Sequence, residues 1–218
     1  GRMDDSLPIV FIHGTSASLH TWDTLSSLLK TNKKIIRLDL PAFGLTGPNR
    51  LNQYNFNFYN QFLDEFLLKL NVTQCIVAGN SLGGSIAWNY AIASPEKVKQ
   101  LILLDASGYP KKDEKGSLGF KLAGIPVLNQ ALKHISPISL IRKSLEDAFY
   151  NKSLVTAQMV EQYHDMLLRA GNRAAVLELF QHPMKADATK IKTITQPTLI
   201  IWGKEDQLIS YKNADLFK

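Results

Sequence analysis

In this 218-residue chain an apolar run, Cys75-Ile76-Val77-Ala78, gives way to Gly79-Asn80-Ser81-Leu82-Gly83-Gly84 and then to a helical pattern reaching about Ala93. A serine between a strand and a helix in this setting sits on a tight, strained turn. Gly79 and Gly83, two positions either side of Ser81, let strand and helix approach without a Cβ clash. The turn lifts the Ser81 hydroxyl above the C-terminal end of its strand. There the free N–H groups and dipole of the helix N-terminus favour a developing negative charge. The chemistry implied is nucleophilic attack on a carbonyl. The alternative is that the glycines, Gly84 among them, only serve a tight strand-to-helix turn.

Two other loops could complete such a site. His13-Gly14-Thr15-Ser16 follows an apolar run, Ile9-Val10-Phe11-Ile12, and can aim the Thr15 N–H at the same point. With the Leu82 N–H, from the residue after the serine, it would make a two-donor oxyanion hole. His13, directly before the glycine, reads as a loop-shaping residue bonded to backbone rather than as a catalytic base. Trp202-Gly203-Lys204-Glu205-Asp206 follows the last strand-like run, and an aspartate there can orient an imidazole and stabilise its cation. Asp206 is the expected acid, with Glu205 and Asp105 as fallbacks; taken alone, such aspartates more often cap a helix. Asp39-Leu40-Pro41-Ala42-Phe43-Gly44-Leu45-Thr46 reads only as a turn-rich loop with a strand-ending aspartate.

The elements that must position these residues alternate between strand and helix over the first half of the chain. Strands are expected at Ile9–Ile12, Lys34–Leu38, Gln74–Ala78 and Leu101–Leu104, and helices at Trp22–Lys30, Phe58–Leu70 and from Gly79 to about Ala93. The second helix is expected to bury Phe62, Phe66, Leu67 and Leu70. Short β-branched runs alternating with helical patterns indicate a parallel sheet with crossover helices, and the fully apolar Ile9–Ile12 fits a strand buried on both faces. From Gly108 to about Thr193 strand alternation stops. Helical stretches there are broken at Gly124-Ile125-Pro126, Ser136-Pro137 and His182-Pro183, with the clearest periodicity at Met159–Leu168 and Ala174–Phe180. Strand character returns at Pro197–Trp202. The expected architecture is an α/β core, residues 1–107 and 194–218, with a helical cap or lid, residues 108–193, inserted between two core strands.

Composition narrows the function classes. A hydrophobic fraction of 45% with 20% charged residues is that of a globular chain, not a disordered or fibrous one. No apolar run approaches the roughly 18 residues of a membrane helix. The single cysteine, Cys75, excludes an intrachain disulfide or a cysteine-based zinc site and reads as a buried thiol. No ligand cluster is spaced for a metal or organic cofactor, so none is expected. The net charge of +6 resides mainly in the insert, where residues 109–195 carry 13 basic and 8 acidic side chains. Their signs are mixed, as in Lys111-Lys112-Asp113-Glu114-Lys115, which indicates a solvated face rather than a nucleic-acid surface. Gly1-Arg2 before Met3 reads as a cloning scar. Few cysteines and no signal-like segment favour the cytoplasm.

Taken jointly, His13-Gly14, Asp39-Leu40-Pro41-x-x-Gly44, Gly79-x-Ser81-x-Gly83-Gly84, Asp105 and Trp202-Gly203-x-x-Asp206 resemble the α/β-hydrolase superfamily, in particular bacterial cap-containing serine hydrolases of the esterase and ring-fission type. The resemblance spans nearly the whole chain. It departs at Ala42, where glycine is common, and at Thr46, where serine is common. It implies a mostly parallel sheet of the α/β-hydrolase type, Ser81 as nucleophile, Asp206 as acid and the insert as a lid. Asn80, in a Gly-Asn-Ser elbow, resembles the ring-fission group. A serine rather than an aspartate at Ser81 argues against dehalogenase or epoxide-hydrolase chemistry.

The same resemblance places the catalytic histidine on the order of 25–30 residues beyond Asp206, whereas Lys218 lies 12 residues beyond it. The chain is therefore expected to be truncated at both ends and inactive as it stands. His20, His134, His164 and His182 are the remaining histidines, with His20 and His182 the better alternatives for a relocated base. The expected strand order is second, first, third, fourth, fifth, leaving the strands near Ile35 and Leu199 as open edges through which copies could associate. The expected substrate is a small carboxylic ester or related acyl compound. A carbon–carbon hydrolase of ring-fission products and a non-catalytic ligand-binding scaffold are the competing classes.

Overall fold

The computed structural model describes residues 7–29, 31–109 and 133–218. The Lys111–Lys115 charge cluster, the break at residues 124–126 and the N-terminal five residues lie outside them. Five strands form one parallel sheet: β1 (Ile9–Ile12), β2 (Ile35–Leu38), β3 (Cys75–Asn80), β4 (Val98–Leu104) and β5 (Thr198–Ile201). Their order is β2-β1-β3-β4-β5, the order expected from sequence. Ile9 lies opposite both Ile35 and Ile76, and Leu104 is paired with both Asn80 and Ile201. All five strands thus end on one side of the molecule.

Alternation of side chains across the strands divides the core in two. Val10, Ile12, Leu38, Val77, Leu101 and Leu103 face helices α2 (Phe56–Lys69) and α3 (Leu82–Ala93) in the larger cluster. Ile9, Phe11, Ile76 and Ala78 face the other way, against Trp22 and Leu25. Helix α3 is buried around most of its circumference, Trp88 and Tyr90 included, so it runs through the interior instead of over the surface. Cys75 is buried in the larger cluster, and burial pushes its thiol up to about 12.

Two helices differ from their sequence expectation. The segment expected as one helix over 22–30 is a 3-10 turn, Leu19–Trp22, followed by α1 (Asp23–Leu28); Leu28 is 70% exposed. Helix α2 begins two residues early because Asn55 caps it, its side-chain oxygen accepting from Phe58 N–H at 2.9 Å. Its fully buried stripe is Tyr59, Leu63 and Leu67, with Phe62 and Phe66 only partly covered and Leu70 exposed.

Between β4 and β5 the described residues form α4 (Ile138–Ala148), α5 (Ala157–Leu168), α6 (Asn172–Gln181) and two 3-10 turns, Lys152–Leu154 and Ala188–Thr193, with no strand among them. A short helix α7 (Asn213–Leu216) follows β5. Both edge strands lack a further neighbour among the described residues, and Leu199 and Ile201 of β5 are exposed. No described helix is long and apolar enough to cross a membrane.

Candidate active site

The end of β3 turns into α3 through one residue, Ser81, whose backbone sits at φ 53° and ψ −116°. This is a sparsely populated conformation for a residue with a side chain, costing on the order of 1–3 kcal/mol. Neighbouring strands hold it there. Ser81 N–H donates to Leu104 O, and Ser107 N–H and Ser85 N–H both donate to Ser81 O, each at 3.1 Å. Asn80 Nδ2 donates to the same Leu104 O at 3.1 Å. The flanking glycines are required by contact: a Cβ on Gly79 would lie 2.2 Å from Gly83 O, and one on Gly83 would lie 2.2 Å from Ile12 O. The Ser81 side chain makes no capping bond, and the residue is half-buried.

The loop after β1 comes directly over this serine. A Cβ added at Gly14 would stand 3.2 Å from Ser81 Cβ, so only a glycine allows the approach as it stands. A turn follows, closed by Ala17 N–H on Gly14 O at 3.3 Å with Ser16 at φ 59°. No backbone or side-chain acceptor among the described residues takes the Thr15 or Leu82 N–H, which leaves both donors free. His13 is fully buried; its Nδ1–H donates to Gly14 O at 2.8 Å and its Nε2 accepts from Leu40 N–H at 3.0 Å. With a backbone N–H as one partner, Nε2 must be the unprotonated nitrogen. Burial lowers the pKa to about 4, keeping the ring neutral. Both nitrogens of His13 are thus committed to backbone.

Asp39, at the end of β2, ties two loops together. Its Oδ1 accepts from Leu19 N–H at 2.7 Å and its Oδ2 from Leu45 N–H at 2.8 Å. Gly44 (φ 50°) passes so close that a Cβ would fall 2.2 Å from Asp39 Cγ. Thr46 Oγ1 donates to Asp39 O at 2.7 Å, a bond that serine or threonine can make equally well. Ala42 has φ 84°, which explains physically why a glycine suits that position. Sequence reading did not single out Asn172. Buried at the start of α6, it donates through Nδ2 to Gly44 O at 2.9 Å and to Met166 O at 2.7 Å, joining the insert to this loop. A cavity of about 10 Å³, room for one water, lies beside it against Ser16, Ala17 and Phe43. An asparagine at a helix start gives no local signal of a partner 128 residues away.

On the other side of Ser81, Asp206 lies in the turn after β5. Its N–H donates to Gly203 O at 3.1 Å, and its Oδ1 accepts from Leu208 N–H at 2.7 Å and Ile209 N–H at 3.0 Å. Asp105 follows β4 at φ 45° and accepts Gly203 N–H on Oδ1 at 2.7 Å. Burial raises the pKa of its carboxyl, the Gly203 N–H opposes this, and the Asp206 charge adds to it. Glu205 is exposed. Among the described residues no histidine ring hydrogen-bonds Ser81 or Asp206. His20 pairs with Asp23 at 3.0 Å, His164 Nε2 donates to Ser136 O at 2.9 Å, and His182 lies 3.5 Å from Glu178. Arg173 donates to the backbone carbonyl of His134 at 2.8 Å. No described group of three His, Cys, Asp or Glu side chains could hold a metal ion.

A parallel sheet whose central strand delivers a serine through a left-handed turn onto a buried helix defines a hydrolase-type α/β architecture. The sequence profile of the alpha/beta hydrolase fold matches residues 8–218, and the chain belongs to that family. It is 24% identical over 217 residues to a 2-hydroxy-6-oxo-2,4-heptadienoate hydrolase of Pseudomonas putida, covering 95% of this chain and 75% of the relative. It is 26% identical over 226 residues to the human monoacylglycerol lipase ABHD6, covering 99% and 66%. A solved structure of a meta-cleavage product hydrolase from Pseudomonas fluorescens superposes with a TM-score of 0.81 at 22% identity, over 97% of this chain and 78% of the other. At this level the chain is a hydrolase of the α/β fold.

Proposed function

We propose that the protein is a serine hydrolase of small carboxylic esters. The observation that supports this reading is the Ser81 turn, a strained backbone whose side chain makes no capping bond, at the start of a helix and under the loop that carries Thr15. In the proposed reaction Ser81 Oγ attacks the ester carbonyl and its proton passes to a histidine. The carbonyl oxygen becomes an oxyanion held by Thr15 N–H and Leu82 N–H. Collapse expels the alcohol, which takes the proton from the histidine, and water then hydrolyses the acyl-enzyme by the same steps. Asp206 orients the imidazole through Oδ2, because Oδ1 already accepts two backbone N–H groups. The base is a histidine that none of the described residues places at Ser81. The insert acts as the lid, seated on the core through Asn172 and Gly44.

Hydrolysis of a carbon–carbon bond in a ring-fission product is the second reading. It is favoured by Asn80 in the elbow and by the likeness to the Pseudomonas putida hydrolase. Protein expressed from the complete reading frame is treated with a fluorophosphonate probe, then assayed on p-nitrophenyl butyrate and on a ring-fission dienoate. Labelling that disappears in Ser81→Ala, with higher kcat/KM on the ester, supports the first reading. Higher kcat/KM on the dienoate supports the second. No labelling at Ser81 sinks both.

A further inference from the structure

We propose that Asp105 is the positioning residue that sets the place of Asp206 relative to Ser81; this rests on the serine-hydrolase reading. The segment from Leu104 to Ser107 touches both halves of the site within four residues. Leu104 O accepts Ser81 N–H, and Ser107 N–H donates to Ser81 O, each at 3.1 Å, so this segment brackets the nucleophile turn. Between them Asp105 turns the other way. Its N–H donates to Ile201 O at 3.0 Å and its Oδ1 receives Gly203 N–H at 2.7 Å, so it grips the end of β5 and the first residues of the acid loop. Gly203 O in turn accepts Asp206 N–H at 3.1 Å. The chain of contacts from nucleophile to acid is therefore Ser81, Leu104, Asp105, Gly203, Asp206, with no gap.

Two observations mark the Asp105 carboxylate as a tie in this link, beside Trp202, which packs against the core and Phe217 and donates through Nε1 to Ile209 O at 3.0 Å. Space beside Gly203 is open: a Cβ built there would meet Asp105 Oδ1 at 3.7 Å and no other atom within van der Waals range. Asp105 also holds φ 45°, where glycine would be less strained and aspartate is among the few side chains tolerated. A position that keeps a side chain at that cost, with the side chain bonded to the acid loop, is doing so for the bond. Asp105 is not the acid itself on this view. Burial disfavours its anion, and an orienting group must remain ionised beside an imidazolium.

Asparagine preserves both the acceptor and the tolerance of the left-handed region, whereas glycine relieves the backbone and removes the acceptor. Asp105→Asn, Asp105→Gly, Asp206→Asn and Ser81→Ala are made in protein from the complete reading frame, with kcat and KM measured on p-nitrophenyl butyrate and folding checked by melting temperature. The expected pattern has Asp105→Asn within about threefold of the parent kcat. Asp105→Gly loses on the order of 10²-fold in kcat at nearly unchanged KM, the scale of an ångström-level misplacement. Asp206→Asn loses on the order of 10⁴-fold. A parent-like kcat in Asp105→Gly overturns the proposal. So does a loss in Asp105→Asn as large as that in Asp206→Asn, which would make Asp105 the acid. Retained activity in Ser81→Ala would instead refute the underlying serine reading.

Discussion

Replacing Ser81 by glycine should make the protein more stable while abolishing its proposed activity. At φ 53° and ψ −116° the serine backbone stores strain on the order of 1–3 kcal/mol, which glycine does not feel. Against this, glycine gives the unfolded chain more freedom, a cost of about 0.5–1 kcal/mol. Removal of the side chain forfeits little, because it makes no capping bond and is only half-buried. The backbone bonds to Leu104, Ser85 and Ser107 are kept. The balance is a gain of about 1 kcal/mol, or a melting temperature raised by roughly 2–4 °C in a chain of this size. Ser81→Ala is the control: it removes the hydroxyl but keeps a Cβ and its strain, so it should stay within about 0.5 kcal/mol of the parent. Both variants are compared by chemical denaturation at constant m-value and by calorimetry. If Ser81→Gly unfolds at or below the midpoint of Ser81→Ala, the turn is not strained and the reasoning fails.

Three further outcomes are expected. His13 is held neutral in the fold at about 4 and returns to about 6.5 when unfolded, so the unfolded chain binds the extra proton between those values. Stability is therefore full above about pH 6.5 and falls through the window down to about pH 4, by on the order of 3 kcal/mol; His13→Asn should flatten that part of the stability–pH curve relative to the parent. Gly83→Ala places a methyl group 2.2 Å from the backbone oxygen of Ile12 and should cost more than about 3 kcal/mol, read as a collapse of the denaturation midpoint. At Ala42 (φ 84°, fully buried), relief of strain by glycine is offset by lost methyl burial and added chain entropy, so Ala42→Gly should be neutral within about 0.5 kcal/mol. Valine there should destabilise by about 2 kcal/mol or more, and equal midpoints for the two variants would contradict this.

The parallel sheet was legible because short apolar runs such as Ile9–Ile12 and Leu101–Leu104 alternate with helical patterns, and because the resemblance implies one strand order. Periodicity was a weaker guide to which helix face is buried. In α2 it marked Leu67, which is buried, together with Phe62 and Phe66, which are only partly covered, and it missed Tyr59 and Leu63, which disappear from solvent. Large aromatic side chains can lie along a partly covered flank, and an apolar repeat does not say which of two adjacent rows faces inward. Leu28 shows the same limit: α1 ends there, and its side chain points to solvent despite its helical spacing from Leu25. The polar ties were illegible for a different reason. Asn172 to Gly44 and Asp105 to Gly203 join residues 128 and 98 apart, and nothing local to either partner marks the bond.

Strain gathers where the strands end. Ser16, Ala42, Ser81 and Asp105 follow β1, β2, β3 and β4 in turn, and all four are non-glycine residues with positive φ. Left-handed backbone costs about 1–2 kcal/mol per residue with a side chain, and glycine would recover only part of that, because it adds chain entropy and forfeits the burial of Ala42 and the bond of Asp105. Their bonds show why two of the side chains persist. Ser81 offers a hydroxyl at a helix N-terminus, and Asp105 holds Gly203. Ser16 closes the turn that leaves Thr15 N–H unbonded, and Ala42 sits in the loop that Asp39 ties to Leu19. The core beneath, with Trp88, Tyr59 and Leu101 sealed from solvent, supplies the stability that offsets this strain. Backbone strain of this kind clusters at functional sites, and at Ser81 and Asp105 it accompanies the two side chains that the proposed reaction needs at the strand ends.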